Sequence, residues 1–260
     1  MPLAFELVSL SSEYKRQLAW RDWATIFDSL PSLHGRTVLD LGCGVGDLAA
    51  MFVARGAHVI GFDMNEELLR EARSQRIPNA EFRMANLRSF PDLGISADGL
   101  WCSFTAAYFP ELPTVLAAWA RNLKTGGWIA LTEIDDLFGH EPLSVQTKAL
   151  LSAYAEDSLA AGRYDFQMGR KMRDHLERAG FVVSKMQSFA DQELAFSGPA
   201  PADVLDAWRA RFSRMKLLRD FSGPDFDHIQ EEFLNCLVRT DHRSVAKVYC
   251  CIATKKGADA

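Results

Sequence analysis

Three glycines between residues 42 and 46 are the feature of this sequence with the clearest chemical meaning. The stretch VLDLGCGVGDLA places Gly42, Gly44 and Gly46 after an apolar segment and before a helical pattern. Glycine allows a tight turn and lets the backbone approach a ligand, because it has no Cβ. The helix that follows offers unpaired N–H groups at its start. The segment therefore predicts a ligand-binding turn between a strand and a helix.

The spacing of these glycines argues against a bound phosphate. A dinucleotide fingerprint reads G-x-G-x-x-G/A, with the last small residue packing the helix on the strand. Here the order is Gly42-x-Gly44-x-Gly46, and Asp47 follows. An aspartate beside a pyrophosphate would repel it, whereas a ligand with an ammonium and a carboxylate but no phosphate would tolerate the acidity.

Polar residues also follow the next two apolar segments. Asp63 ends VIGFD, 19 residues after Gly44, where a carboxylate can accept hydrogen bonds from both hydroxyls of a ribose. Met64 is placed to pack on an adenine ring. Asn86 and the adjacent Leu87 backbone can meet the Watson–Crick edge of adenine. The pattern indicates a nucleoside ligand.

The elements that position these residues alternate between strand and helix. Strands are predicted at 37–42, 58–63, 80–85, 98–104 and 128–134, with helices at 47–56, 65–75 and 112–127. The strands are nearly continuous apolar runs, as expected when both faces of a sheet are buried. Regular alternation predicts a parallel sheet covered by helices.

Outside this core, the sequence predicts helical additions and two more strands. One helix is expected over 11–30, within an N-terminal helical segment (1–35) that covers the site. Insertions at about 136–164 and 190–243 interrupt the core domain (36–254), and both are expected to roof a pocket at the carboxyl edge of the sheet. The second insertion is predicted to contain helices at 201–219 and 224–238. Strands six and seven are predicted at 181–189 and 244–254.

Taken together, these motifs resemble the class I S-adenosylmethionine-dependent methyltransferases, near the ubiquinone/menaquinone biosynthesis branch (methyltransferase type 11/25). The matching segments are VLDLGCGVGDLA, VIGFDMN, MANLRSF, DGLWCSF and LKTGGWIALTEI. The resemblance implies a Rossmann-like α/β fold with a seven-stranded, mostly parallel sheet. The last strand would run antiparallel between strands five and six, with helices on both faces and helical cap insertions.

The same resemblance implies S-adenosyl-L-methionine as the cofactor and S-adenosyl-L-homocysteine as the product. Asp40 and the glycine loop would surround the amino acid end of the cofactor, and Tyr14 would reach its carboxylate from the N-terminal helix. Ser103 would lie beneath the sulfonium. Asn86 departs from the family, which usually has Asp at this position.

Candidate catalytic residues lie after strands four and five. Methyl transfer from a sulfonium needs alignment of the reactants and, for some acceptors, a base. His140, just beyond the acidic cluster of Glu133, Asp135 and Asp136, is the expected base because its pKa lies near neutrality. Tyr108 is expected to face the acceptor. The basic run AWRARFSRMKLLRD (207–220) is interpreted as the solvated face of an amphipathic helix, with recognition of an anionic substrate as the alternative.

The composition limits the partners. A formal net charge of −5 gives no general attraction to nucleic acid or to anionic membrane. No apolar run reaches the length of a membrane span, and the N-terminus does not resemble a signal peptide. Five scattered cysteines without metal-ligand spacing are expected to be reduced thiols in a cytoplasmic protein with no metal site. We expect a monomer or homodimer.

The leading hypothesis is methyl transfer to O, N or C of a small molecule. An RNA or protein methyltransferase is the alternative, although the sequence has neither the (Asn/Asp)-Pro-Pro-aromatic motif nor a basic appended domain. A nicotinamide dehydrogenase is disfavoured by Asp47. A cofactor-binding regulator without turnover also remains open.

Overall fold

The computed structural model describes residues 10–257, without the side chains of residues 10–12. Its helices are α1 (Leu10–Trp20), α2 (Trp23–Phe27), α3 (Asp47–Val53), α4 (Glu66–Ser74), α5 (Leu112–Ala120), α6 (Val145–Ala160), α7 (Met168–Arg178), α8 (Ala202–Arg214), α9 (Lys216–Ser222) and α10 (Phe226–Leu237). Its strands are β1 (Thr37–Leu41), β2 (His58–Asp63), β3 (Ala80–Met84), β4 (Ala97–Ser103), β5 (Leu123–Asp135), β6 (His140–Glu141), β7 (Phe181–Phe189), β8 (Arg243–Ser244) and β9 (Lys247–Lys255). Within this range, no helix is both long enough and apolar enough to cross a membrane.

Seven strands form one sheet in the order β3-β2-β1-β4-β5-β9-β7. Neighbouring strands from β3 to β5 pair in parallel, whereas β9 pairs antiparallel with both β5 and β7. The predicted Rossmann-like sheet, with its last strand inserted antiparallel between the fifth and sixth of the predicted strands, is confirmed. The strand order reverses between β1 and β4, which places a crevice at their carboxyl ends.

Alternating side chains of the strands build an apolar layer on each face of the sheet. On one face, Trp101 of β4 contacts Phe27 of α2 and Phe52 of α3, with ring centroids 5.6 and 5.4 Å away. On the other face, Leu100 belongs to a layer formed with α5 and α7. Both faces of the central strands β1, β2 and β4 are buried, and their polar residues lie mostly at strand ends. The edge strands β3 and β7 are partly exposed and carry polar residues along their length.

The N-terminal helix predicted over 11–30 is broken into α1 and α2. Arg21 leaves the helix to form an isolated bridge with Asp191, and its Nε donates to Asp191 Oδ2 at 2.7 Å. Asp22 then caps α2, because its Oδ1 accepts from the Thr25 N–H at 3.2 Å. A tertiary contact and a local cap together interrupt a segment whose periodicity indicates one continuous helix.

Three other elements differ from the prediction. The helix expected over 201–219 divides at Met215, whose backbone leaves helical geometry (φ −76°, ψ 61°). Strand β5 begins at Leu123, five residues before the predicted start at 128, because Leu123 pairs with Ala97 beyond a register shift in which β5 has the extra residues. A small sheet formed by β6 and β8 joins the two insertions. Two-residue strands that lie so far apart in the sequence could not be predicted, because they are too short to produce a local sequence pattern.

Candidate functional site

A cavity of about 620 Å³ lies at the carboxyl ends of β1, β2 and β4, where the strand order reverses. Crevices at this edge of an open parallel sheet bind ligands. The cavity brings together the predicted site residues Tyr14, Asp40, Gly42, Gly44, Asp63, Met64, Asn86, Leu87, Ser103 and Tyr108. His140 does not line it.

The glycine loop can turn tightly because its backbone adopts left-handed geometry. Gly42 has φ +83°, and a Cβ there would lie 2.2 Å from Thr105 Oγ1, so the loop contacts the segment after β4. Gly46 has φ +85°, and a Cβ there would lie 2.8 Å from the Phe82 ring. Both positions need glycine for backbone freedom and for space.

The loop's own N–H groups are largely used inside the protein. The N–H groups of Gly42 and Cys43 donate to the Phe62 carbonyl at 2.7 and 3.0 Å, and that of Gly46 donates to Cys43. Gly44 N donates to Asp63 Oδ2 at 2.9 Å. Phosphate-binding loops direct several N–H groups at their ligand. The geometry here therefore agrees with Asp47 in disfavouring a dinucleotide.

Asp63 is held in place by the backbone on both sides. Its Oδ2 accepts from Gly44 N, and its Oδ1 accepts from Asn65 N at 2.9 Å. Each carboxylate oxygen has a second lone pair, so both can still accept a hydrogen bond from a ligand hydroxyl. Asn65 caps α4 and thereby fixes the turn that carries Asp63.

Asp40 and Ser103 provide buried polar atoms without a protein partner. Asp40 is 1% exposed, and its Oδ2 has no hydrogen bond among the described residues. Burial, with a contribution from Asp63, raises the pKa of Asp40 to about 7. The Ser103 hydroxyl is likewise buried and unbonded. Unsatisfied polar atoms beside a cavity indicate a missing partner, and a cationic group would suit Asp40.

Tyr14 covers the glycine loop from α1. A Cβ at Gly44 would lie 3.5 Å from the Tyr14 ring, so the ring lies directly over the loop. Burial, with contributions from the nearby Tyr108, Asp63 and Glu13, raises the pKa of Tyr14 to about 12. The hydroxyl therefore keeps its proton at neutral pH and can donate a hydrogen bond.

The cavity wall after β2 and β3 is mainly apolar. Met64 is 74% exposed and lines the cavity, while Leu87 is buried beneath it. Asn86 Oδ1 accepts from Arg88 N at 3.0 Å and caps a short 3₁₀ turn. Its amide nitrogen donates to no residue of the described chain. Asn86 thus offers a hydrogen-bond donor, beside a surface on which a flat ring can pack.

Tyr108 lies on a turn fixed by a buried acid. Glu133 of β5 is fully buried, and its Oε1 accepts from Ala107 N at 3.0 Å. Burial raises the pKa of Glu133 to about 8. The Tyr108 ring contacts the Tyr164 ring at a centroid distance of 4.8 Å. Burial, and then Glu133, raise the pKa of Tyr108, so Tyr108 enters the cavity as a neutral phenol.

His140 lies away from this cavity, inside the cap. It is 1% exposed, and its ring has Phe196, Trp208 and Phe233 at centroid distances of 5.3–5.7 Å. Burial, reinforced by His242, lowers its pKa to about 3. The position of His140 just after β5 predicted that it would lie at the site, but the backbone changes direction at Asp136 (φ +60°). The geometry therefore gives no support to His140 as the base.

The rest of the acidic cluster is also engaged elsewhere. Asp135 accepts from Arg170 Nε at 2.6 Å. Asp136 lines a smaller cavity of about 250 Å³, separate from the main one.

Three arginines line the cavity although none was predicted there, and two of them, Arg21 and Arg163, lie outside the quoted motifs. Arg21 lines it from the break between α1 and α2, with its guanidinium carbon 4.0 Å from the centre of the Phe104 ring. Arg163 lines it from the segment after α6. Neither belongs to a motif, and only folding brings them to the cavity. The break of the N-terminal helix at Arg21 could have indicated that Arg21 reaches the cavity. The apolar periodicity of residues 11–30 instead predicted one continuous helix.

The basic run at 207–220 forms ion pairs within the protein. Arg211 donates to Glu193 at 2.5 Å, and Arg214 pairs with Glu13 of α1. Arg209 and Arg219 pair with Asp206 and Asp227 at 2.7 and 3.4 Å. These pairs favour a structural role over recognition of an anionic substrate. They also explain how the second insertion holds α1 over the cavity, although it supplies no lining residue itself.

Comparison with known sequences identifies a family match and relatives that cover part of the chain. Residues 38–127 match a family described as "Methyltransferase domain". A ubiquinone biosynthesis O-methyltransferase of Marinobacter nauticus is 29% identical over 61% of this chain and 69% of its own length. One of Paracidovorax citrulli is 32% identical over 42% of this chain. A trans-aconitate 2-methyltransferase of Azoarcus is 36% identical over 39% of it. The last two matches span 48% and 40% of the relatives' length.

Solved structures share the fold over most of the chain. An S-adenosylmethionine-dependent methyltransferase of Mesorhizobium loti superposes with a TM-score of 0.56 at 17% identity, covering 90% of this chain and 97% of that one. A phosphoethanolamine N-methyltransferase of Haemonchus contortus, solved with S-adenosylhomocysteine, gives a TM-score of 0.54 at 16% identity. That match covers 95% of this chain and 54% of the other.

Proposed function

We propose that this chain is a class I S-adenosylmethionine-dependent methyltransferase whose methyl acceptor is a small molecule held in the main cavity. The observation that carries the proposal is the cavity itself. Tyr14, Gln17 and Leu18 of α1 cover it on one side, and Arg163 contributes from the first insertion. A volume of about 620 Å³ lies within the range of sites for small ligands and cofactors. Such a covered space suits a metabolite better than a polymer.

S-adenosyl-L-methionine is the cofactor, and the residues of the cavity fit its groups. We assign the ribose hydroxyls to Asp63, whose two oxygens each keep an unused lone pair. Asp40 and its buried Oδ2 suit the ammonium group. Tyr14 and Arg21 suit the carboxylate, because a phenol and a guanidinium both donate hydrogen bonds to anions.

The remaining cofactor assignments concern the adenine ring and the loop. Met64 and Leu87 offer apolar contact to the ring, and the Asn86 amide donates to its edge. Gly42 and Gly44 let the loop backbone approach the ligand without a Cβ. Ser103, at the end of β4, offers its unbonded hydroxyl to the amino acid end.

When bound, the cofactor would supply an electrophilic methyl carbon on a cationic sulfur: a nucleophilic atom of the acceptor bonds to that carbon in line as the bond to sulfur breaks, and the sulfur keeps the electron pair as a neutral thioether. The protein's own contribution is to orient the acceptor and to exclude water. Fixing the two reactants can account for about 7–11 kcal/mol of the barrier. We assign Tyr108 to orientation, since a phenol with a raised pKa hydrogen-bonds the acceptor without removing its proton. His140 has no role in this proposal.

The acceptor atom is O, N or C, and oxygen is the first candidate. The relatives from Marinobacter and Paracidovorax are named O-methyltransferases. The alternative of an RNA or protein substrate has less support, since the net charge is −5 and the α8 arginines are paired.

Methyl-labelled cofactor tests the proposal. The purified protein is incubated with labelled S-adenosylmethionine and, in separate reactions, with RNA, with protein and with a protein-free metabolite extract. We expect label in the metabolite fraction, and its loss in Asp63→Ala. Glu66→Ala, on the exposed start of α4 outside the cavity, is the control and should retain labelling. Label in RNA or protein alone would contradict a small-molecule acceptor.

A further inference from the structure

The charged residues of the main cavity are separated by sign. Its acids, Asp40, Asp47 and Asp63, come from the ends of β1 and β2 and from the start of α3. Its cations are Arg21, Arg88 and Arg163. They come from the break between α1 and α2, from the turn after β3, and from the segment after α6. The acids therefore lie on the side that we assign to the cofactor, which carries two positive groups.

The three arginines differ in how fully the protein satisfies them. Arg88 pairs with Glu111, and its Nη2 donates to the Tyr108 carbonyl at 2.9 Å. Arg163 pairs through Nη2 with Asp157, whose side chain is 48% exposed. The Nε of Arg163 is buried without an acceptor, and its Nη1 donates to no residue between 10 and 257. An exposed ion pair contributes little to stability, so the pair with Asp157 holds Arg163 only weakly. The Nε and Nη1 of Arg163 remain as unused donors.

Arg163 is fixed beside the proposed acceptor-orienting residue. Asp165 N donates to the Ala107 carbonyl at 2.9 Å, and the Tyr164 ring packs on the Tyr108 ring. Arg163 N also donates to the Ser158 carbonyl at 3.0 Å. Together these contacts anchor the backbone on both sides of Arg163. The guanidinium and the Tyr108 phenol line the same cavity.

We propose that the methyl acceptor carries an anionic oxygen group, a carboxylate or a phosphate ester, which pairs with Arg163. The inference rests on the proposed function. The cofactor has one carboxylate, and Arg21 suits it. The Arg21 side chain is 8% exposed and its Nε is held by Asp191, while its Nη2 lies 3.9 Å from Glu193 Oε2, beyond hydrogen-bond distance. Arg163 is then left for an anion on the acceptor. A guanidinium with unused donors forms its strongest hydrogen bonds with such groups.

A binding experiment measures this directly, without turnover. Benzoate and benzamide have nearly the same shape, differ in charge and suit a cavity lined by Phe104, Tyr108 and Phe109. Protein saturated with S-adenosylhomocysteine is titrated with each. We expect benzoate to bind at least tenfold more tightly, and Arg163→Gln to remove the difference. Arg209→Gln, which removes a surface arginine with a similar aspartate partner, should keep it. Equal affinity for the two probes would overturn the inference.

The labelled metabolite extract supplies the second test. The methylated product should be retained by an anion exchanger, and Arg163→Gln should reduce its labelling at least tenfold while S-adenosylhomocysteine affinity stays within twofold. Phosphatase treatment that releases the product identifies a phosphate ester, and continued retention identifies a carboxylate. A labelled small molecule in the unretained fraction would sink the anionic acceptor but leave the proposed function intact. Label confined to macromolecules would instead contradict the proposed function.

Discussion

At the scale of single residues, the environment of Asp40 decides its chemistry. A carboxylate in water has a pKa near 4, but this one lies under the glycine loop beside Asp63 and has one unbonded oxygen. Burial penalises the charged form. A cation arriving in the cavity would compensate that penalty, so ligand binding and ionisation of Asp40 should be coupled.

We therefore predict that affinity for S-adenosylhomocysteine depends on pH. With a pKa of about 7 in the free protein, the ionised fraction falls from about three quarters at pH 7.5 to about one tenth at pH 6. If the ionised form binds, the apparent Kd rises about eightfold over this interval. Isothermal titration at both pH values measures it.

Two variants control this experiment. Asp40→Asn should bind more weakly at both pH values and lose most of the dependence on pH. Asp47→Asn, at the neighbouring cavity carboxylate, should retain the dependence. A wild-type Kd that does not change with pH would rule out the coupling.

At the scale of elements, the small sheet of β6 and β8 is fixed by a pair of buried histidines. The Nδ1 of His242 lies 2.7 Å from the Gly198 carbonyl and must donate to it. Its Nε2 is then an acceptor, and His140 Nδ1, 2.9 Å away, donates to it. Both rings are therefore neutral with defined tautomers. The pair connects the first insertion to the second, a role in packing instead of catalysis.

This pair predicts a loss of stability in mild acid. The folded protein holds the pKa of His140 at about 3, whereas an unfolded chain has a value near 6.5. The contribution of neutral His140 is therefore complete above pH 6.5 and is lost progressively as pH falls toward 3. At pH 5 the loss is about 2 kcal/mol, from ~1.4 kcal/mol per pKa unit.

Urea unfolding at pH 7 and pH 5 measures this effect. In His140→Gln, the decrease in the free energy of unfolding between the two pH values should be smaller than in the wild type by about 2 kcal/mol. His228→Gln, at an exposed histidine of α10, should behave as the wild type does. An unchanged decrease in His140→Gln would show that His140 takes up its proton in the folded state.

At the scale of the whole molecule, the sheet is rigidly supported and the cover of the cavity is not. Strands β5, β9 and β7 pair over long registers, and β5 and β9 are largely buried. Helix α1 instead lies across the cavity opening, held to the second insertion by the Arg214–Glu13 and Arg21–Asp191 pairs. Segments that lean on a few polar contacts open at lower free energy than a core sheet.

Hydrogen exchange should reveal this difference. We expect saturation with S-adenosylhomocysteine to slow amide exchange in α1 and in residues 42–47, because Tyr14, Gln17, Gly42 and Gly44 all line the cavity. Exchange in α10, on the far side of the cap, should not change. Protection of α10 without protection of α1 would contradict the assignment of α1 as the cover.

The sequence by itself determined the sheet, its alternation with helices and the glycine loop, and it predicted the cofactor. These features depend on local patterns, since apolar runs, turn glycines and an acid at a strand end lie within a few residues of each other. The positions of Asp40, Asp63 and Ser103 at one edge then follow from parallel strand order alone.

Only the tertiary structure decided which cap residues reach the cavity. Arg163 enters it because residues 162–165 pack on the turn after β4, and Arg21 does so because Asp191 draws it out of a helix. His140 is excluded because it pairs with a histidine 102 residues away. Such outcomes depend on contacts between distant segments, and no short-range pattern in the chain encodes them.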